Sequence, residues 1–132
     1  KVKNWCETIL GKIEFELIET LDSSSFLQLD EYFSSNRKTF SLKYSIFQTN
    51  FKKNTLKTVE KIPFGQTKSY ADIAQLIGKP KAARAVGIAN ATNPLPIIIP
   101  CHRVIAKNGG LGGYRGGLDM KIKLLEFEAW TV

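Results

Sequence analysis

The sequence predicts an α+β protein in two parts: a short N-terminal α/β unit over residues 1–45, then a mainly helical domain over residues 46–132. Three observations carry that prediction. Residues 12–18 (KIEFELI) alternate strictly, with Ile13, Phe15 and Leu17 on one side and Lys12, Glu14 and Glu16 on the other, the period of a half-buried strand. Beyond residue 49, apolar residues recur at three- and four-residue intervals, the period of amphipathic helices. Between two such stretches, the run Ile97-Ile98-Ile99-Pro100 delivers Cys101 straight into His102 and Arg103.

The 132 residues suffice for one compact domain, or one domain with a small appendage, and 43% hydrophobic residues are ordinary for a chain with a core. No apolar run approaches the ~20 residues of a membrane span, and no charged-then-apolar leader opens the chain. The expectation is an intracellular protein, neither secreted nor associated with a membrane. Two cysteines, Cys6 and Cys101, cannot build a multi-bridge framework, which favours a reducing compartment, and Cys6 reads as structural. With one histidine and two cysteines there are too few nitrogen and sulfur ligands for a structural zinc site, so no metal is expected. A net charge of +7 and a pI near 9.5 favour a polyanionic partner, although charge alone does not single out nucleic acid.

Taken in order, Gly11 supplies the turn ahead of the N-terminal strand. After Ser23-Ser24-Ser25, the spacing of Phe26, Leu29, Tyr32 and Phe33 predicts a short helix, and residues 34–48 read as a polar, basic connection. Thr49 starts a helix that carries Leu56, Val59 and Ile62 inward and stops at Pro63 and Gly65. Residues 69–78 and 79–93 then read as two helices joined by a tight turn. Ser69 caps the first with Asp72 three residues on, while Tyr70, Ile73, Ala74 and Ile77 form its apolar stripe. Gly78 suits the position after its end, and Pro80 the first turn of the second helix. That second helix is built from Ala82, Ala83, Ala85, Gly87, Ala89 and Ala91, with Lys79, Lys81 and Arg84 near its start. A helix this slim can approach the minor groove of B-DNA, only about 6 Å wide, or pack closely on a neighbour in a helical core. Spacing alone leaves both open.

Three β-branched residues in a row suit a fully buried strand over residues 97–99, ended by Pro100, which lacks the N–H that a sheet ladder needs. A free cysteine has a pKa of roughly 8.5 and reacts as thiolate, so Cys101 needs a nearby base or cation, and His102 and Arg103 are adjacent candidates. The alternative is a buried structural cysteine beside two surface residues. The stretch NGGLGGYRGG holds Gly109, Gly110, Gly112, Gly113, Gly116 and Gly117 and reads either as backbone that approaches a planar ligand or as a surface loop. It lacks the spacing and the Lys-Ser/Thr of a phosphate loop. The last helix, residues 118–129, is expected to turn Leu118, Ile122, Leu124 and Leu125 inward. Glu128 falls between Leu124 and Leu125 on that face and would need a buried partner, with His102 the attractive one; Lys121 shares the arc.

Together these stretches resemble the O6-alkylguanine-DNA alkyltransferases, the single-turnover proteins that repair O6-methylguanine. The likeness covers residues 29–128 through SYADIA, GKPKAARAVG, NPLPIIIPCHRV, the GGYRGG loop and LLEFE, in the family's order. It implies a helix-turn-helix and an active-site cysteine loop in the C-terminal domain. It implies stoichiometric transfer of the alkyl group from O6-alkylguanine in double-stranded DNA, O6-methylguanine mainly and O4-methylthymine secondarily, to Cys101. The alternative within reach of the resemblance is an alkyltransferase-like protein that binds the lesion without transferring it; such proteins lack the acceptor cysteine.

The resemblance also implies roles. Cys101 is the acceptor, His102 its base through a water, and Glu128 the carboxylate that orients His102. Asn93 ties the recognition helix to the active-site turn, and Tyr70 assists extrusion of the base and donates to guanine N3. Arg84 replaces the flipped nucleotide in the stack, flipping being cheapest where pairing is already weakened. Lys81, Ala83 and Gly87 join Arg84 and Tyr70 at the DNA. The base pocket combines Cys101, Val104, Tyr114, Arg115, Asn90 and Pro96, with the carbonyls of Cys101 and Val104 accepting from the guanine amino group and the N–H of Arg115 facing O6. No cofactor is implied, and the protein would act as a monomer, in the cytoplasm of a bacterium or the nucleus of a eukaryote. Three departures stand out: the shortness of the N-terminal unit, Thr55-Leu56 where relatives carry an aliphatic residue then tryptophan, and Arg115 where many carry serine.

Overall fold

Short-range capping at Thr49, Ser69 and Gly78 sets three helix ends in this chain, and side-chain hydrogen bonds hold the turn that carries its cysteine. The computed structural model describes residues 23–41, 48–114 and 117–131, in a mixture of helices and one small sheet. The chain divides into two units, Lys1–Ser45 and Ile46–Val132. The expected strand at 12–18, with Gly11 and Cys6, lies outside the described residues.

In the first unit, α1 (Ser23–Phe33) takes in the serine run that was expected to precede it. Leu29, Tyr32 and Phe33 are buried. Tyr32 meets Phe33 edge-on at 5.1 Å and lies 5.8 Å from Phe40. Gln28 fastens the following chain, its Oε1 accepting from the Ser41 N–H at 2.9 Å and its Nε2 donating to the Ser41 carbonyl at 3.3 Å.

The second unit begins with α2 (Asn50–Glu60), capped as its sequence predicts: the Thr49 hydroxyl accepts from the Lys52 N–H at 3.3 Å. Leu56, Val59 and Ile62 are buried. Thr55 is buried with them, because its hydroxyl donates back to the Phe51 carbonyl at 2.8 Å and leaves only the methyl to pack. After β1 (Lys68–Ser69), α3 (Tyr70–Leu76) opens with a full capping box between Ser69 and Asp72. It closes at Gly78, whose φ of +77° lets the Gly78 and Lys79 N–H groups turn back to the carbonyls of Gln75 and Ala74 at 3.0 and 2.9 Å. Ile73 and Ala74 are buried, Tyr70 and Ile77 half-buried.

Next, α4 spans Ala83–Ala91, four residues later in its start than expected. Pro80 therefore sits in the linking turn, where the Ala82 N–H bonds the Lys79 carbonyl at 2.9 Å, and not in the helix. The expected strand at 97–99 is also absent. Residues 95–99 form a tight turn, with the N–H groups of Ile98 and Ile99 bonding the carbonyls of Pro96 and Leu95 at 2.9 Å each. Pro94 and Pro96 remove the donors a ladder would need, and all three isoleucines are buried by the turn instead. A 3-10 turn at Cys101–Arg103 leads into β2 (Val104–Ile105), which pairs in parallel with β1, Val104 opposite Lys68. The final helix, α5 (Leu118–Thr131), also departs from expectation: Leu118 is 49% exposed, and Ile122 and Leu125 are half-buried. The inward positions are Lys121, Leu124 and Glu128, each at most 1% exposed. Among the described residues no helix is long and apolar enough to cross a membrane.

Gly78 provides a direct test of the turn after α3. No atom lies within 4 Å of the place a Cβ would take, so Gly78→Ala meets backbone strain alone. Urea unfolding of that variant is expected to show a loss of about 1–2 kcal/mol; unchanged stability would mean that the left-handed turn is not formed.

Candidate active site

The cysteine turn is built by proline, strain and an asparagine. Asn93, just past α4, accepts from the Leu95 N–H at 2.9 Å with Oδ1 and donates to the Ile99 carbonyl at 2.9 Å with Nδ2. Between them Ile97 adopts φ +74°, a left-handed conformation that costs a β-branched residue on the order of 1–2 kcal/mol and that burial of its side chain offsets. Pro100 then starts the 3-10 turn, and Cys101 lies at its head, 3% exposed. Its carbonyl accepts twice, from the Val104 N–H and from Asn90 Nδ2 at 3.0 Å.

Behind the cysteine, α5 supplies a buried carboxylate. Glu128 Oε2 lies 2.7 Å from His102 Nε2, and Arg103 donates to the same carboxylate with both arms of its fork, Nε to Oε1 and Nη2 to Oε2, at 2.8 Å each. The third arm, Nη1, donates to the Ile62 carbonyl at 2.7 Å. Arg103, one of two candidate cations for the thiol in sequence, is therefore committed to Glu128. Burial by itself would raise the Glu128 carboxyl, but the hydrogen bonds from His102 and Arg103 outweigh it and hold it well below the usual carboxylate range. Burial lowers His102 more than its Glu128 bond raises it, so the imidazole is neutral at neutral pH. An ionised carboxylate only accepts, so Nε2 carries the proton and Nδ1 the lone pair. Nδ1 is buried and has no hydrogen-bond partner among the described residues.

The thiol of Cys101 is raised by burial, against the Asn93 amide, the Lys121 charge and the Tyr114 hydroxyl, each of which favours thiolate. A protonated thiol thus stands beside a neutral base with a free lone pair. Tyr114 is pushed upward by burial and by the cysteine. Tyr70 is likewise raised, by burial first and then by Cys101, while a hydrogen bond with the Gly113 backbone works the other way. Tyr70 presses on the glycine loop: a Cβ on Gly112, whose φ is +68°, would lie 2.5 Å from the tyrosine oxygen.

Lys121, fully buried, draws the same loop to α5. Its ammonium donates to the carbonyls of Val104 at 2.6 Å, Gly113 at 3.3 Å and Leu111. Burial pushes it down to about 8, with the cysteine acting in the opposite direction.

Cys101, His102, Glu128, Asn93, Asn90, Tyr70, Tyr114 and Val104 thus come together. Pro96 lies in the turn ahead of them, half-buried. Arg84 is exposed in the first turn of α4 and Lys81 is exposed in the turn before it, while Ala83 and Gly87 are half-buried. Gly87 faces Tyr70, whose ring would lie 3.8 Å from a Cβ there. Arg115 lies outside the described residues. Among the described residues no group of three or more His, Cys, Asp or Glu is placed to hold a metal ion. Arg103 and Lys121 are the working residues that sequence reasoning undervalued. The available signal was Lys121 and Glu128 seven residues apart, on the face of Leu124.

The family model described as 6-O-methylguanine DNA methyltransferase, DNA binding domain, matches residues 50–130. The chain is 46% identical over 126 residues to the constitutive methylated-DNA–protein-cysteine methyltransferase of Bacillus subtilis, covering 95% of this chain and 75% of that protein. It is 50% identical over 101 residues to the methylated-DNA–protein-cysteine methyltransferase of Methanosarcina acetivorans, covering 76% and 65%. Among solved structures it is similar to Mycobacterium tuberculosis OGT in complex with DNA, with a TM-score of 0.81 at 44% identity over 83% of this chain and 68% of that one. It spans about two thirds to three quarters of the length of these relatives.

The buried ion pair makes a pH-dependent prediction. Because the Glu128 carboxyl is held below its ordinary value of 4.5, its contribution to stability is fully present above that pH and is lost as pH falls further. Glu128→Gln should cost about 3–5 kcal/mol at pH 7, leaving Arg103 buried without its partner. Urea unfolding between pH 7 and pH 3 should show a smaller acid-induced loss for the variant than for the native chain; parallel losses would refute the pairing.

Proposed function

Because the chain belongs to the 6-O-methylguanine DNA methyltransferase family, we infer that it repairs DNA directly, moving the alkyl group of O6-alkylguanine onto its own Cys101. The observation that carries this reading is the buried thiol beside a neutral His102 whose Nε2 is fixed on Glu128. On this reading the first unit is the small α/β domain of the family and the second its DNA-binding and transferase domain. Helices α3 and α4 act as a helix-turn-helix, and α4 enters the minor groove, its exposed face being slim: Arg84, Ala85, Ile88 and Ala91.

In the reaction, Arg84 occupies the stack vacated by the flipped base. The proton of Cys101 passes through a water to His102 Nδ1, and Glu128 stabilises the imidazolium that results. Sulfur attacks the alkyl carbon, the carbon–O6 bond breaks, and its electron pair stays with the guanine. Tyr70 donates towards N3, so that the base leaves as a neutral species. The Val104 carbonyl accepts from the guanine amino group with the lone pair that Lys121 does not use. The product is a thioether with no good leaving group, and each chain acts once. The alkyl group comes from the DNA, so no cofactor takes part. A lesion-binding protein that does not transfer is disfavoured by Cys101 itself.

Incubation with duplex DNA containing O6-methylguanine should add one methyl group to the intact mass, mapped to Cys101 and absent in Cys101→Ser. An unchanged mass with the lesion bound would instead establish the non-transferring alternative. Arg84→Ala should slow repair of duplex DNA at least tenfold more than reaction with a free O6-alkylguanine base, since only the duplex requires flipping. Equal slowing of the two would remove Arg84 from that step.

A further inference from the structure

The outer face of α4 is slim except at one place. Val86, Ala89 and Asn90 are buried where α4 packs on α2 and α3, which fixes how the helix is rolled. Exposed on it are Arg84, Ala85, Ile88 and Ala91. At 100° per residue Ile88 falls about 40° from Arg84, midway across the arc from Ala91 to Ala85. It is 63% exposed and is the one large apolar side chain of the four. A β-branched residue in a helix keeps essentially one rotamer, so Ile88 is a stiff projection that cannot fold aside. It stands four residues, about 6 Å along the axis, beyond Arg84, within about two base-pair steps.

We propose that Ile88 is a specificity-determining residue of this chain, which senses the guanine 2-amino groups of the pairs beside the lesion and favours sites where they are absent. This rests on the reading of α4 as the helix in the minor groove, with Arg84 in the vacated stack. The groove is nearly degenerate in its hydrogen-bonding code but not in its relief. A·T and T·A pairs present only the acceptors N3 and O2, flush with the floor, whereas a G·C pair adds an amino group that projects from it. A branched alkyl side chain packs against the first floor. Over the second it is held off, and it strips the amino group of water while offering no acceptor. Arg84 thus serves the flipped nucleotide, and Ile88, one turn on, the pairs beside it.

The test uses duplexes with O6-methylguanine in which the pairs within two steps of the lesion are all G·C or all hypoxanthine·C, which differ only by the 2-amino group. Methyl gain is followed by intact mass, and each rate is divided by that of the same chain with free O6-methylguanine. Hypoxanthine·C pairs are also weaker and ease flipping, but equally for every variant. The ratio of the two rates in Ile88→Ala therefore gives that contribution alone. The native ratio should exceed it about tenfold, the worth of one donor left unpaired. The site is exposed, so the substitution does not threaten the fold. A native ratio no larger than that of Ile88→Ala would overturn the proposal. A native chain that gains no methyl group from either duplex would instead overturn the transferase reading itself.

Discussion

The carboxylate of Glu128 is the constraint on which the rest of the site depends. A buried carboxylate is tolerated only when its charge is met, and here Arg103 donates to it twice, His102 once and the Gly65 N–H at 3.4 Å. The arginine matters for more than balance. With His102 alone, carboxylate and imidazole would compete for one proton and the histidine's tautomer would be ambiguous. A permanently charged guanidinium keeps the carboxylate ionised, so that Nε2 must be the protonated nitrogen and Nδ1 the base. The third arm of Arg103 on the Ile62 carbonyl ties this arrangement to the end of α2. Three distant parts of the second unit thereby acquire one geometry.

Around that centre, side chains do work that sheet ladders do elsewhere. Pro94, Pro96 and Pro100 withdraw three N–H donors from the chain leading to Cys101, and residues 106–114 beyond it form turns and irregular backbone. The carbonyls of Ile99, Cys101, Val104, Leu111 and Gly113 are held instead by the amides of Asn93 and Asn90 and by the Lys121 ammonium. Loops held by buried donors of this kind keep one shape without a sheet ladder, and the Gly109 and Gly110 N–H groups close their own turn on the Ala106 carbonyl and Asn108 Oδ1. The two-residue parallel pair of β1 with β2 adds a short tether, setting Val104 opposite the chain that enters Tyr70.

The features legible in the sequence are those decided within a few residues. Thr49, the Ser69–Asp72 box and Gly78 mark helix ends through local hydrogen bonds, and the order of motifs around Cys101 brought forward the residues that the fold gathers. What was illegible depends on partners far along the chain. Three isoleucines read as a strand, since β-branching and burial are visible locally but the left-handed turn at Ile97 and the Asn93 bonds that close it are not. Leu118 read as core and Lys121 as an intruder, because apolarity predicts burial until a lysine finds three carbonyls to satisfy it. Arg103 read as an activator of the cysteine, being adjacent in sequence, whereas its length lets it reach past the turn to α5.

The electrostatics of Cys101 point to a thiol kept quiet until it is needed. A cysteine next to a free cation would be a standing thiolate, open to any small electrophile. Here burial raises the thiol, the nearby arginine is occupied, and the base has its lone pair on Nδ1 with no direct bond to sulfur among the described hydrogen bonds. On the function proposed above, deprotonation waits for a bound base to organise the path from sulfur to His102 Nδ1. For a protein whose product is a thioether it cannot remove, that conditional reactivity has a clear physical advantage. A chain alkylated by a stray electrophile is lost to repair, and low resting reactivity reserves each cysteine for the one reaction it can perform.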